Sequence, residues 1–289
     1  MISLTLLDTQ WPGHIPDLAP AIEEMGFRRY WASEHHSSWQ SASPMITAAL
    51  AGSVTETLRV GTAGVMLRLA SVARVLDDRA MLELFYPGRF DLGIVGALPD
   101  PATVDRYAHD AIIADGDQYV ARVRRLVGEV RARDPRAELW LCGKSESVAR
   151  LAGELGVRFA FHHYLAGSPP DGELAPALAY RDAFVPAPGL DVPWLSIAAY
   201  GACAGSEAQA RTEWEAYFEG RPAGRPSFLG TPDAVASTLT ALARRYDARE
   251  LALDCFASSY DARKDGLAAI ASALAVTSVT TREPSVSRA

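Results

Sequence analysis

Short apolar runs alternate with helix-length stretches along the whole chain, each unit handing over to the next after roughly thirty residues, the length of a strand, a crossover helix and their turns. The β-rich runs fall at 2–8, 29–35, 58–67 (LRVGTAGVML), 90–98 (FDLGIVGAL), 138–143 (ELWLCG), 158–164 (RFAFHHY), 194–203 and 250–256. Between them lie helical stretches at 15–25, 44–54, 71–85, 117–133, 147–155, 171–184, 206–218 and 232–246, and a closing one at 261–274. Punctuation agrees with this division. Gly26 stops the first helix, Ser43-Pro44 opens the second with a cap and a proline at the first helical position, and Thr231 caps a later one. Runs that are apolar almost throughout suit strands buried on both faces of a parallel sheet. Eight such units in one chain point to closure, a single (β/α)8 TIM barrel over residues 1–275, with 276–289 as a flexible Ser/Thr/Val-rich tail. A polar, proline-bearing loop is expected between 99 and 117.

Composition narrows the function classes. With 289 residues and 49% hydrophobic content the chain can bury a sizeable core. Its 28 basic against 35 acidic residues give a net charge of −7, and no Lys/Arg block offers a footprint for nucleic acid or an anionic membrane. The N-terminal MISLTLLD has neither the basic region nor the apolar length of a signal peptide, so the expected location is cytoplasmic. Cys142, Cys203 and Cys255 are odd in number and far apart, which argues against a disulfide framework or a zinc knuckle.

In a barrel the active site forms at the C-terminal ends of the strands. The end of the second run, Trp31-Ala32-Ser33-Glu34-His35-His36, carries residue types that are expensive to bury unless paired or used. Strand alternation puts His35 on one face with Ser33 and Trp31, and His36 on the other with Glu34. The two histidines therefore cannot share a metal, and one of them can equally be a satisfied core imidazole. The turn Gly143-Lys144-Ser145-Glu146-Ser147 joins a strand to a helix N-terminus, where free amides, the helix dipole and a lysine suit a phosphate; an ordinary cap by Ser147 is the alternative. Gly61-Thr62-Ala63-Gly64 is thin enough for a flat ring to lie against its backbone, or for tight barrel packing. There is no strand-end carboxylate pair for a glycosidase and no His-x-His for a barrel metallohydrolase.

YWASEHH, RVGTAGVMLR, LFYPGRFDLGI, WLCGKSESVARLAGELGVRFAFHHY and FLGTPDAVASTL together resemble the flavin-dependent, bacterial luciferase-like monooxygenases of the alkanal monooxygenase group. The likeness spans 2–274. It implies a luciferase-like barrel that binds reduced FMN made by a separate flavin reductase and uses dioxygen to oxidise a small organic substrate. It further implies His35 as the acid/base residue beside the flavin, with Glu34 as its motif neighbour, and a non-prolyl cis Ala63–Gly64 bond against the ring. Gly143, Lys144, Ser145 and Ser147 would hold the phosphate, and Trp31, His36, Trp39, His163 and Tyr164 would wall the substrate. A homodimer through the helices after the second and third strands is implied too, with Met45, Ala48, Ala49 and Ala51 as an apolar side for it. The chain departs from the family at Val95-Gly96-Ala97, where an arginine contacting the phosphate is usual and where luciferase has a flavin-side cysteine. Two alternatives stay open: a barrel that has lost catalysis and serves as a flavin-binding or partner subunit, and a deazaflavin-dependent oxidoreductase.

Overall fold

The structure, a computed structural model, describes residues 2–10, 12–36, 41–98, 101–107, 112, 115–163, 174–219 and 224–280. Its strands are β1 Ser3–Asp8, β2 Arg29–Ala32, β3 Arg59–Thr62, β4 Val65–Met66, β5 Phe90–Val95, β6 Leu139–Gly143, β7 Arg158–His162, β8 Leu195–Cys203, β9 Phe228–Gly230 and β10 Glu250–Cys255. All pairings between them are parallel in the order β10-β1-β2-β3-β5-β6-β7-β8, and β8 returns to β10 to close the cylinder. This is the eight-stave TIM barrel expected from the strand pattern. Every apolar run at 2–8, 29–35, 58–67, 90–98, 138–143, 158–164, 194–203 and 250–256 supplies one stave.

Alternation along each stave sorts the side chains into two cores. Outward residues such as Leu6, Tyr30, Val60, Leu92, Phe161, Ile197 and Leu251 pack under the helices in the main core. Inward ones fill the barrel in layers. At the N-terminal end, Arg29 pairs with Asp91, Glu138 and Glu250, Arg59 with Asp91 and Glu138, and Arg158 with Glu138. Three guanidiniums thus meet three carboxylates inside the barrel, which is how charge survives burial there. Glu138 is held below its usual carboxylate range by Arg29, Arg158 and Arg59 against the opposing pull of burial. Above this ionic layer sit Leu7, Trp31, Ala63, Trp140, Cys142, Ala160, Ala198 and Ala252. Trp31 and Trp140 meet edge to face at 4.7 Å, and the Arg29 guanidinium lies 5.6 and 5.2 Å from their ring centres. Cys142 is one of three buried thiols, and burial pushes it up to about 12, which makes it inert.

The structure departs from the sequence reading in five places. The single strand expected over 58–67 is broken at Ala63–Gly64, whose peptide bond is cis, into β3 and β4. The glycines around the break answer to the neighbouring strand: a Cβ on Gly64 would stand 2.8 Å from the Gly93 backbone, and one on Gly93 would stand 2.0 Å from the Thr62 carbonyl. The loop expected between 99 and 117 contains a helix, α4 Pro101–Arg106, too short to show a periodicity. A three-residue strand not expected from the sequence, β9, ends at Gly230 and pairs parallel with the last three residues of β8, Gly201 to Cys203. The closing helix, α10 Tyr260–Thr280, runs past 274. The small residues of α2 Pro44–Ser53 also serve a different end: Met45, Ala48 and Ala51 are buried on their own barrel, and Ile46 and Leu50 are the exposed pair. No helix among the described residues is long and apolar enough to cross a membrane.

Candidate active site at the barrel mouth

The C-terminal ends of the staves gather Glu34, His35 and His36 from β2, Ala63 and Gly64 from the β3–β4 break, Val95 from β5, the Gly143–Ser147 turn from β6, His162 from β7 and Asp254 from β10. The Glu34-His35-His36 triplet is divided in role by its geometry. His36 is buried, its Nε2 lies 2.6 Å from Glu34 Oε1, and its Nδ1 lies 3.2 Å from the Tyr107 hydroxyl. The other Glu34 oxygen accepts the Met66 amide at 2.7 Å. Glu34 and His36 therefore tie the end of β2 to β4 and to the residue after α4. His35 is exposed, and its backbone N–H donates to the Ser41 carbonyl at 3.0 Å. Of the two adjacent imidazoles, His35 alone stands open to solvent.

The Gly143–Ser147 turn opens α6 Glu146–Glu154. Its cap is Ser145, which accepts the Val148 amide at 3.3 Å and lies 3.0 Å from the Ser147 hydroxyl, so the capping residue is two positions earlier than the sequence alternative placed it. Lys144, Ser145, Glu146 and Ser147 are all exposed. One ammonium, two hydroxyls and the first-turn amides of a helix form a donor set that suits a phosphate monoester. Over the neighbouring β5 end, Tyr119 fills the space beside Gly96: a Cβ there would come within 2.7 Å of the ring. Arg68, 4.7 Å from the centre of that ring, donates to the Gly96 carbonyl at 2.9 Å.

Two further groups at the mouth escaped the sequence reading. In the pair His162-His163, His162 continues the inward phase of Arg158 and Ala160 and is buried in the mouth layer, whereas His163 lies among Phe161, Tyr246 and Ser227 on the outward side. Burial, seconded by the charge of His35, pushes His162 down to about 4, so it is neutral at pH 7. The strand period alone would have separated the pair. Asp254, on the inward phase of β10, is bound by Thr9, by Gln10 at 2.6 Å and by the fully buried Arg263 at 3.2 Å. Arg263 is shared with Asp8 at 2.9 Å. Burial raises Asp254 to about 6 even though Arg263 opposes it. Nothing local in the sequence joins Asp8 to residues near 254. Trp31 lies beneath the mouth in the middle layer; Trp39 and Tyr164 lie outside the described residues. Among the described residues no group of three or more His, Cys, Asp or Glu could hold a metal ion.

Residues 4–258 match the luciferase-like monooxygenase family. The chain belongs to that family. A luciferase-like monooxygenase of Escherichia coli strain K12 is 33% identical over 199 residues, 64% of this chain and 58% of its own length. The chain spans about six-tenths of the length of the curated relatives it matches. Solved structures extend the likeness of fold across almost the whole barrel. Apo-MsnO8 superposes with a TM-score of 0.81 at 24% identity, covering 95% of this chain and 99% of that one. The oxygenating constituent of the type II Baeyer-Villiger enzyme 3,6-diketocamphane monooxygenase of Pseudomonas putida, in complex with FMN, gives 0.74 at 15% identity, covering 96% and 99%. An F420-dependent secondary alcohol dehydrogenase gives 0.71 at 13%, covering 94% and 99%. In this luciferase-like monooxygenase family member, the Glu34-His35-His36 strand end and the N-terminal turn of α6 stand on one face of the barrel.

Proposed function

We propose that this chain is the oxygenase component of a two-component monooxygenase, taking reduced FMN from a separate reductase and oxidising a small organic substrate with dioxygen. The observation that carries the reading is the convergence of three unlike groups on one barrel mouth: an exposed imidazole, a small-residue wall at Ala63–Gly64, and a lysine–serine turn on a helix N-terminus. The family membership and the FMN held by the diketocamphane enzyme on the same fold support it. Bound reduced flavin would supply the electrons that activate dioxygen.

The chain's own residues would then act as follows. Lys144, Ser145, Ser147 and the first-turn amides of α6 hold the phosphate. Ala63 and Gly64 present backbone and a single methyl to the flat ring. His35 moves protons at its imidazole beside that ring, while Glu34 and His36 fix the strand end that carries it. Trp31 and Trp140 close the floor, so that water reaches the site from the mouth alone. Ile46 and Leu50 of α2 with Met81, Leu84 and Phe85 of α3 Val72–Phe85 form an exposed apolar face for a second copy of the chain.

Anaerobic titration tests the cofactor. Reduced FMN should bind about tenfold more tightly than reduced riboflavin, since a charge-assisted phosphate contact contributes about 1.5 kcal/mol at an exposed lysine. Lys144→Ala should remove most of that preference. Equal binding of the two flavins would reduce the turn to a helix cap. The second reading, a flavin-binding or partner subunit without turnover, is favoured by Val95-Gly96-Ala97, where Tyr119 occupies the neighbourhood of the missing arginine. Binding of reduced FMN without accelerated oxygen consumption would select it. Tight binding of a reduced deazaflavin in place of FMN would instead move the chain to hydride transfer.

A further inference from the structure

We propose that His162 is a substrate-positioning residue, an imidazole on the inward phase of β7 facing the reaction space across the mouth from His35 and hydrogen-bonding a polar oxygen of the substrate. β7 and β2 stand four staves apart in a closed ring of eight, so the two imidazoles approach the mouth from opposite walls. The inward phase of β7 is fixed by what lies below: Arg158 reaches the ionic layer through Glu138, and Ala160 belongs to the apolar layer around Trp31 and Trp140. His162 is the next inward residue, and it stands beside inward-facing Ala198 of β8.

Ser33, Thr9 and Gln10, described polar side chains near the mouth, bond the barrel's own groups. Ser33 donates to the Asp8 carbonyl at 3.1 Å, and Thr9 binds Asp254. The wall opposite His162 is the β2–β3 side, where the flavin ring is placed by the proposed function, on which this inference rests. A substrate between ring and β7 therefore meets apolar floor below and an imidazole at its side. Depression of its basicity by burial keeps that imidazole uncharged at neutral pH, the form able to donate or accept a hydrogen bond. The chemistry selects substrates bearing a hydroxyl or carbonyl over bare hydrocarbons of the same shape, because a desolvated site built for a hydrogen bond penalises a ligand that lacks one.

Two probes separate these classes: 4-ethylphenol and ethylbenzene, titrated into the full-length protein with and without FMN. Ring carbons of the histidines are followed by NMR, and the His162 signal is identified from its loss in His162→Gln. The phenol should shift that signal and bind at least about fivefold more tightly than ethylbenzene, the net worth of one neutral hydrogen bond. His162→Phe should bind both probes alike, with ethylbenzene affinity and FMN binding unchanged; His162→Gln should keep part of the preference and serves if the Phe variant does not fold. A preference that persists undiminished in both variants, a His162 signal that stays still while His35 responds, or no binding of either probe would overturn the assignment. Failure of FMN to bind, with the His162 shift and the phenol preference intact, would remove the flavin reading and leave His162 in its role.

Discussion

His35 and His36 are neighbours in sequence and opposites in circumstance. His36 is buried between Glu34 and Tyr107, and His35 faces solvent at the mouth. His35→Ala should leave the fold intact and lower flavin-dependent turnover about a hundredfold or more, the usual worth of a positioned acid/base group. His36→Ala should cost about 1–3 kcal/mol in denaturant unfolding, because a Glu34 oxygen loses its partner, with a milder effect on turnover. Unfolding of the His35 variant, or equal activity losses in the two, would reverse these roles. The mouth also carries two opposed pH dependences. His162, lowered to about 4 from 6.5, binds a proton more readily unfolded than folded, so its contribution to stability rises as pH climbs from 4 to 6.5. Asp254, raised to about 6 from 3.8, holds its proton in the folded state while the unfolded chain has lost it, so its contribution falls between 3.8 and 6. Each amounts to about 3 kcal/mol at full extent, and over the shared window they offset one another. His162→Gln should expose the Asp254 slope, with stability now falling as pH rises from 4 to 6. A denaturant midpoint that follows the same pH curve in both proteins would refute the pair. These residues also mark how far sequence reading reaches. The Glu-His-His motif and the lysine turn are local and could be read. His162 was legible through the strand period, but the two adjacent histidines hid which one faced in. Asp254, Asp8 and Arg263 are joined by closure of the barrel, a contact between distant positions that no local pattern announces.

Strands and helices were the most legible level, because hydrophobic period is local; caps were less so, since Ser43 and Thr231 stand at their N-cap positions without a side-chain bond and Ser145 caps in place of Ser147. What could not be read were elements too short for a period, α4 and β9, and the charge inside the barrel. Arg29, Asp91, Glu138, Arg158 and Glu250 stand at the starts of strands, where a sequence suggests solvated ends, and register alone brings them inside. The pair α2 and α3 carries the prediction at this scale. Their exposed face of Ile46, Leu50, Met81, Leu84 and Phe85 should hold two copies together, so light scattering should give about twice the chain mass of 31.1 kDa. Leu84→Asp should return the protein to a monomer of unchanged circular dichroism, since Leu84 is 70% exposed in one copy. A parent protein that already runs as a monomer at micromolar concentration would end the idea.

As a whole, the described chain is one barrel with every stave in use, and no G-x-G-x-x-G turn follows any of its strands. The proposed function therefore predicts that the purified protein will not oxidise NADH or NADPH when FMN is present. Oxygen consumption should begin on addition of a flavin reductase or of chemically reduced FMN. Rapid NADH oxidation by the chain alone would end the two-component reading.

Among the described residues, the ionic layer and the two tryptophans stopper the barrel from below, and this leaves the rim as the approach to the candidate site. Whatever enters must leave over the same rim, past His35 and the α6 turn. A flavin that is borrowed and returned, a substrate and its product would then have to queue. If the proposed function holds, the order in which they come and go would be set at that threshold, ahead of any bond made or broken inside.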